Sequence, residues 1–273
     1  MTKSFLAIPA GSFLLLALLL PACAQTNVDN PQSQVPAAAA ATATEPGNKM
    51  TDEDLGRLYL IRKQYREAQD MFHKLTLEQP KNAIYWNELG ISFHNQTELA
   101  SALKCYQKSS KLDSHYADAV NNAGTVYYEK KKYSRAIRSY KKAIQLREDF
   151  AGFYLNLGYA YFGVKDYEHS IGAFRKALEL DPDTFDAARS RAGTVIQDRT
   201  VASDRAQFYF LLAKSFAQSG NVDRCLVYLK KAREEGYKNI DSVKSDPAFA
   251  AMMKNPAMQD FLLEKPADPT VQQ

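Results

Sequence analysis

Residues 117–150 read ADAVNNAGTVYYEKKKYSRAIRSYKKAIQLREDF, and this stretch decides the fold because the sequence on both sides repeats its pattern. The next 34 residues, 151–184, again have a glycine at the eighth position and aromatic residues at the eleventh and twenty-fourth. Two earlier segments of equal length, 49–82 and 83–116, follow the same scheme. A fixed period of this length predicts an array of similar structural units.

Two positions of the repeat always hold small residues, which let paired helices approach closely. Position eight holds Gly56, Gly90, Gly124 and Gly158. Position twenty holds Ala68, Ala102, Ala136 and Ser170. Two other positions hold large aromatic residues. Position eleven holds Tyr59, Phe93, Tyr127 and Tyr161, and position twenty-four holds Phe72, Tyr106, Tyr140 and Phe174. Within each half, apolar residues recur with a helical period, which predicts a helix–turn–helix unit. Pro80 and Pro182 are placed to end the second helix because proline lacks an N–H donor.

The pattern resembles the tetratricopeptide repeat, a family of paired-helix units. The resemblance implies an all-α fold, a right-handed superhelical solenoid of helix–turn–helix hairpins with C-terminal capping helices. A fifth match covers residues 206–239, where Ala213 replaces the glycine and Cys225 replaces the alanine. Members of this family generally bind protein partners, so the resemblance implies an interaction module rather than an enzyme.

The chain is divided accordingly into a leader, a linker, the repeats, an insert and a C-terminal cap. The predicted segments are a signal peptide at 1–24, a disordered linker at 25–48, four repeats at 49–82, 83–116, 117–150 and 151–184, an irregular helical insert at 185–205, a fifth repeat at 206–239, capping helices at 240–264 (expected at 246–253 and 258–264), and a disordered tail at 265–273.

The first residues are typical of a secretory signal. Lys3 precedes the apolar stretch 5–20, which is shorter than the roughly 18–20 apolar residues of a membrane span. Two cleavage interpretations stay open. Residues 22–24, Ala-Cys-Ala, match the small-x-small pattern that would release a soluble protein at Gln25. Residues 20–23, Leu-Pro-Ala-Cys, resemble a bacterial lipobox, which implies lipidation of Cys23.

The linker at 25–48 is rich in Ala, Pro, Gln, Asn and Thr and contains almost no large apolar residue. Such a composition does not bury enough surface to fold, so a flexible tether is expected. A tether directly after Cys23 suits a domain held off a membrane by a lipid anchor. The predicted location is therefore the cell envelope, either periplasmic or anchored in the outer membrane.

Composition indicates neither a nucleic-acid binder nor a catalyst. The formal net charge is only +4, whereas nucleic-acid-binding domains are expected to be strongly basic. The densest basic run covers 130–132 and continues through Arg135, Arg138, Lys141 and Lys142, and we interpret it as a solvated outer face. His73, His94, His115 and His169 form no metal-binding pattern, and no cofactor motif is recognised. Cys105 and Cys225 belong to different repeats and are not expected to pair.

In the family, the first helices of the repeats line a concave groove that holds ligands. Carried over by position, the resemblance places these partner-binding residues there: Asn87, His94, Asn121, Asn122, Thr125, Tyr128, Asn156, Tyr159 and Phe162. Carboxamides can pair with a peptide backbone of any sequence, and aromatic rings add apolar contact area. The alternative interpretation is that several of these residues are ordinary repeat consensus. The family's carboxylate-clamp subtype is not expected, because positions five and six carry no positive charge.

The sequence therefore predicts a non-catalytic scaffold in the bacterial cell envelope. Its partners would be other proteins, with envelope assembly components as one class, and no nucleic acid, metal or cofactor is expected. Two alternatives are a regulatory or carrier subunit of an envelope enzyme, and a structural homo-oligomer formed by self-association.

Overall fold

The structure is a computed structural model that describes residues 50–185 and 204–264. The predicted signal peptide, linker and C-terminal tail, and nearly all of the predicted insert at 185–205, lie outside the described residues. Within those ranges the regular elements are all helices. The α-helices are α1 Asp52–Ile61, α2 Tyr65–Glu78, α3 Ala83–Asn95, α4 Leu99–Leu112, α5 Ala117–Glu129, α6 Tyr133–Leu146, α7 Ala151–Gly163, α8 Tyr167–Leu180, α9 Arg205–Gln218, α10 Val222–Glu234 and α11 Pro256–Leu263.

Consecutive helices pair into hairpins, and each hairpin packs against the next one along the chain. The predicted all-α solenoid of helix–turn–helix repeats is therefore confirmed. The core is one large buried cluster around α7 to α11 with smaller clusters in the first three repeats.

The glycine of each repeat faces the aromatic ring at position twenty-four of the same hairpin. A Cβ atom added at Gly158 would lie 2.3 Å from Cε1 of Phe174, and one added at Gly90 would lie 2.5 Å from Cε1 of Tyr106. Carbon atoms normally approach to about 3.5–4.0 Å. The rings therefore occupy the space that a side chain on the first helix would need.

The fifth hairpin, α9 and α10, has different residues at positions eight and twenty-four. Ala213 stands where the other repeats have glycine, and Leu229 stands where they have an aromatic ring. Both side chains are fully buried. Because the register matches that of the other hairpins, we infer that the smaller side chain at 229 makes room for the methyl group at 213.

A left-handed residue turns the chain between the two helices of every hairpin. The φ angles are +59° at Lys63, +64° at Thr97, +56° at Lys131, +60° at Lys165 and +79° at Gly220. This conformation lets the following amide return to the end of the first helix, as in the 2.8 Å bond from the Lys132 amide to the Tyr127 carbonyl. The sequence does not signal the turn in the first four repeats, because a non-glycine residue occupies it.

The second helices end in the same register with or without proline. Helix α8 ends two residues before Pro182, whereas α4 and α6 end at the equivalent positions, Leu112 and Leu146, without one. The hairpin packing therefore sets the end of the helix, and proline only reinforces it where present.

The C-terminal cap consists of two 3-10 helices, Ile240–Lys244 and Pro247–Met252, followed by α11. Asp246 and Asn255 cap the second 3-10 helix and α11, because each accepts a hydrogen bond from a backbone amide of the first turn. Phe249 and Phe261 are buried against the fifth hairpin. These elements cover the apolar end of the array, as a solenoid requires.

Candidate functional site

The predicted partner-binding residues lie on three first helices, α3, α5 and α7, and most of their side chains are buried. Only His94, whose side chain is 12% exposed, is partly accessible. The others are at most 7% exposed: Asn87, Asn121, Asn122, Thr125, Tyr128, Asn156, Tyr159 and Phe162. The first helices bring these residues together, and their contact with a partner stays a prediction.

Four carboxamides form a continuous hydrogen-bonded chain across the three helices. Asn156 Nδ2 on α7 donates to Asn121 Oδ1 on α5 over 3.0 Å. Asn121 Nδ2 donates to Asn122 Oδ1 at 3.3 Å. Asn122 Nδ2 then donates to Asn87 Oδ1 on α3 at 3.0 Å. We call these four residues the carboxamide row. The row is buried and ties repeats two, three and four together through their first helices.

Thr125 and Tyr128 belong to the packing within the third repeat. The Tyr140 hydroxyl donates to Thr125 Oγ1 at 3.3 Å, and complete burial holds the pKa of Tyr140 well above its usual range. The phenol is therefore a neutral donor at physiological pH. Tyr128 packs edge-on against Tyr133, with ring centroids 5.3 Å apart. These contacts connect α5 to α6.

Tyr159 and Phe162 contact the first helix of the fifth repeat. Their ring centroids lie 5.5 and 5.4 Å from that of Phe208 on α9. Tyr159 also meets Phe174 edge-on at 5.4 Å. Tyr159 and Phe162 therefore contribute to the packing of α9 against the fourth repeat.

His94 joins three helices through its ring nitrogens. Its Nδ1 lies 3.3 Å from the Tyr106 hydroxyl on α4, and its Nε2 lies 2.9 Å from a carboxylate oxygen of Glu129 on α5. Such a pair of contacts fixes the orientation of the ring. His94 is therefore a link between the second and third repeats.

Glu88, on α3 next to the carboxamide row, was not among the predicted residues. Burial raises the pKa of its carboxyl from 4.5 to about 7; Asp118 and Glu53 act in the same direction, and the Arg57 guanidinium opposes them. The carboxyl therefore titrates near neutral pH. The only hint in the sequence is that an acid stands where repeats three and four have asparagine.

Among the recesses of the described surface, two lie away from the row. The larger, about 960 Å³, lies between α8, α9 and the chain at 237–246. Its wall includes Gly172, whose Cα faces open space, and the ion pair between Lys214 Nζ and Asp246 Oδ2 at 2.7 Å. The smaller, about 510 Å³, lies among α4, α5 and α6.

The described residues show no group of three or more histidine, cysteine or acidic side chains that could hold a metal ion. Cys105 and Cys225 are free thiols, and burial raises their pKa values to about 11 and about 12. No helix in the described ranges is long and apolar enough to span a bilayer.

Family models match most of the first four repeats. Two described as "Tetratricopeptide repeat" match residues 53–117 and 151–184, and one described as "TPR repeat" matches 124–164. Residues 53–117 and 124–184 therefore match tetratricopeptide-repeat models, and the described helices form a solenoid of helix–turn–helix hairpins over these residues. Tetratricopeptide repeats support a role as a protein-interaction scaffold.

No curated protein matches the chain. Solved structures that match it include a crystal structure of MamA, at 20% identity over 71% of this chain and 99% of that chain with a TM-score of 0.48. MamA 41-end from Desulfovibrio magneticus RS-1 matches at 19% identity over 68% and 94%, with a TM-score of 0.48. The first TPR of Spaghetti (RPAP3), bound to the HSP90 peptide SRMEEVD, matches at 25% identity over 39% and 85%, with a TM-score of 0.38.

Proposed function

We propose that the protein is a non-catalytic scaffold of the bacterial cell envelope that binds a segment or helix of a partner protein at the surface of α3, α5 and α7. The tetratricopeptide repeats support the scaffold role. The leader and the tether after Cys23 support the envelope location.

The carboxamide row is the observation that carries the proposed binding mode. Each amide of the row bonds another amide and is at most 3% exposed. A peptide backbone that reaches the row after a local opening between the first helices would replace one carboxamide bond with another of the same kind. The net free-energy change of such an exchange is small compared with that of leaving a buried donor unpaired. At helix spacings of about 8–10 Å, a row across three helices spans about 16–20 Å, the length of five or six extended residues.

In-cell cross-linking followed by mass spectrometry tests this surface. The protein is cross-linked in its native host, and the captured partner is compared between the natural chain and Asn122→Ala/Asn156→Ala. We expect a dominant partner that the double variant loses. Thermal unfolding of each purified variant shows whether the loss reflects unfolding.

The matched control is Asn95→Ala/Gln145→Ala, which removes two exposed amides outside the row. Capture should be unchanged in this variant. Capture that is equal in both variants would contradict binding at the carboxamide row while leaving the scaffold role intact.

The envelope location has its own test, because it depends on residues outside the described ranges. Metabolic labelling with a fatty acid should label the natural chain and not Cys23→Ser. An exported chain without label would favour release at Gln25, and retention in the cytoplasm would contradict the envelope proposal.

A further inference from the structure

The second helices of the second and third repeats are basic along their whole length. Helices α4 and α6 contain no acidic residue, and they carry seven exposed cations: Lys104, Lys108, Lys111, Arg135, Arg138, Lys141 and Lys142. The turn before α6 adds three exposed lysines at 130–132. We call the exposed cations of α4 and α6 the basic face. The second helices of repeats one and four, by contrast, carry both signs of charge.

The cations of the basic face form no ion pair with the part of the chain that the structure describes. Elsewhere in those ranges, cations form ion pairs with carboxylates; Arg147 Nη2, for example, lies 2.6 Å from Asp118 Oδ1. On the basic face, Arg135 instead lies over the Tyr127 ring at 5.8 Å, and Lys108 lies over Trp86 at 6.0 Å. Lys141 interacts electrostatically with Asp166 without forming an ion pair. The remaining like charges repel each other at helical spacing, so the folded protein retains a net positive field here.

The basic face contains a shallow, open recess. The 510 Å³ recess has Val120 and Ala123, both nearly buried, at its base. Gln107, Ser110 and Ser139 supply neutral hydrogen-bonding groups in its wall, and its cations are Arg135, Arg138 and Lys142. A volume of this order is typical of recesses that hold small ligands or short segments.

We propose that this recess is a second docking site, which binds an extended acidic segment of a partner protein. Aspartate and glutamate side chains would neutralise Arg135 and Arg138, whose planar guanidinium groups match carboxylates with two parallel hydrogen bonds. The serine and glutamine side chains can pair with the segment's backbone, and the apolar base can take a small side chain. Membranes and duplex nucleic acid present broad surfaces that would meet the rim cations and leave the base empty.

This site goes beyond the proposed function, because it lies on the second helices and not on the surface of α3, α5 and α7. The exposure of these cations agrees with the interpretation of the basic run as a solvated face, and the proposal adds a binding role to it. An acidic partner segment would be attracted over long range and then held by the recess, so both the rate and the affinity of binding should fall as salt rises.

Fluorescence anisotropy with the full chain tests the proposal. The probe is a short labelled peptide rich in aspartate and glutamate, compared with the same peptide carrying asparagine and glutamine. We expect saturable binding of the acidic peptide only, weakened about tenfold or more by Arg135→Glu/Arg138→Glu. Ser110→Trp, which keeps every charge and fills the recess, should weaken binding as well.

The matched control is Arg62→Glu/Arg66→Glu, which makes the same change in net charge at two exposed cations of the first repeat. Affinity should change little in this variant. Equal weakening by both charge reversals, or no effect of Ser110→Trp, would overturn the recess as the site. Stronger binding of phosphatidylglycerol vesicles or of a DNA duplex than of the acidic peptide, lost with the same arginines, would overturn the acidic segment as the occupant.

Discussion

The contact between Gly158 and Phe174 gives a quantitative test of the repeat packing. An added Cβ at position 158 would lie 2.3 Å from Cε1 and 2.4 Å from Cδ1 of the Phe174 ring. The ring is fully buried and contacts the rings of Tyr159, Phe185 and Phe208 at centroid distances of 5.4 to 5.9 Å. It therefore has little room to withdraw by the ångström or more that the methyl group needs.

Two opposing effects set the size of the change in Gly158→Ala. Alanine is favoured over glycine inside a helix by about 1 kcal/mol. Overpacking of a buried contact costs about 1–3 kcal/mol, and occasionally more, when the neighbours are held in place. Because the overlap exceeds 1 Å against a ring fixed on several sides, we expect overpacking to prevail. The free energy of unfolding should fall by up to about 2 kcal/mol.

Urea unfolding followed by far-UV circular dichroism measures this change, and the chain supplies its own control. Gly172 also lies inside a helix, but an added Cβ there meets no atom within 4 Å. Gly172→Ala should therefore stabilise the protein by about 0.5–1 kcal/mol through helix propensity alone.

The fifth repeat suggests a rescue, since it pairs Ala213 with Leu229. In Gly158→Ala/Phe174→Leu the smaller side chain makes room for the methyl group, so the double variant should lose less stability than the sum of the two single variants. A stabilised Gly158→Ala variant, or strict additivity in the double variant, would refute the packing argument.

Three further predictions use the same purified chain. The pKa of Glu88 is raised from 4.5 to about 7, so the folded chain binds a proton more tightly than the unfolded chain does. The free energy of unfolding should therefore fall as the pH rises from about 4.5 to about 7. At about 1.4 kcal/mol per pKa unit, the loss from this group is at most about 3 kcal/mol. Urea midpoints measured against pH should be flatter for Glu88→Gln, and an unchanged profile would contradict the assignment. Thr97 is a β-branched residue at φ +64°, so Thr97→Gly should raise the free energy of unfolding by about 0.5–1 kcal/mol in the same assay. A lower free energy of unfolding would mean that the threonine side chain stabilises the turn. In a Cys23→Ser chain, Cys105 and Cys225 should react with Ellman's reagent only after denaturation, because burial raises their pKa values to about 11 and about 12; fast labelling of the folded chain would contradict their burial.

The repeat architecture was predictable because its determinants are local and periodic. Gly124 and Tyr140 stand 16 positions apart in one unit, and the same spacing recurs in the first four units, so one contact explains many residues. The left-handed turn was not predictable in the same way. A lysine or threonine at positive φ carries no sequence signature, and only the packing of the two flanking helices imposes that conformation.

The candidate site was predictable by position but not by environment. The family register placed Asn122 and Asn156 on neighbouring first helices, where the structure has them. Their hydrogen bonds to Asn87 and Asn121 depend on the distance between helices, which a single sequence does not encode. The same holds for Phe208, whose contact with Tyr159 and Phe162 depends on how the fifth hairpin docks.

The basic run at 130–142 was recognised from the sequence, but its role was not. Its charges were visible in the sequence, but its interpretation depended on whether carboxylates from other helices lie nearby. In the described structure none pairs with Arg138 or Lys142, and Arg135, Arg138 and Lys142 line a recess. Charge pairing between repeats is a tertiary property, so periodicity alone could not distinguish a solvated face from a docking site.

Hydrogen–deuterium exchange of the protein with and without its captured partner tests the central claim most directly. Binding at the first-helix surface predicts slower exchange in α3, α5 and α7 on addition of the partner, because a bound segment suppresses the local openings that permit exchange. The Asn122→Ala/Asn156→Ala variant should lose this protection. Protection confined to α4 and α6, or no protection in any repeat, would contradict the claim that the first-helix surface holds the partner.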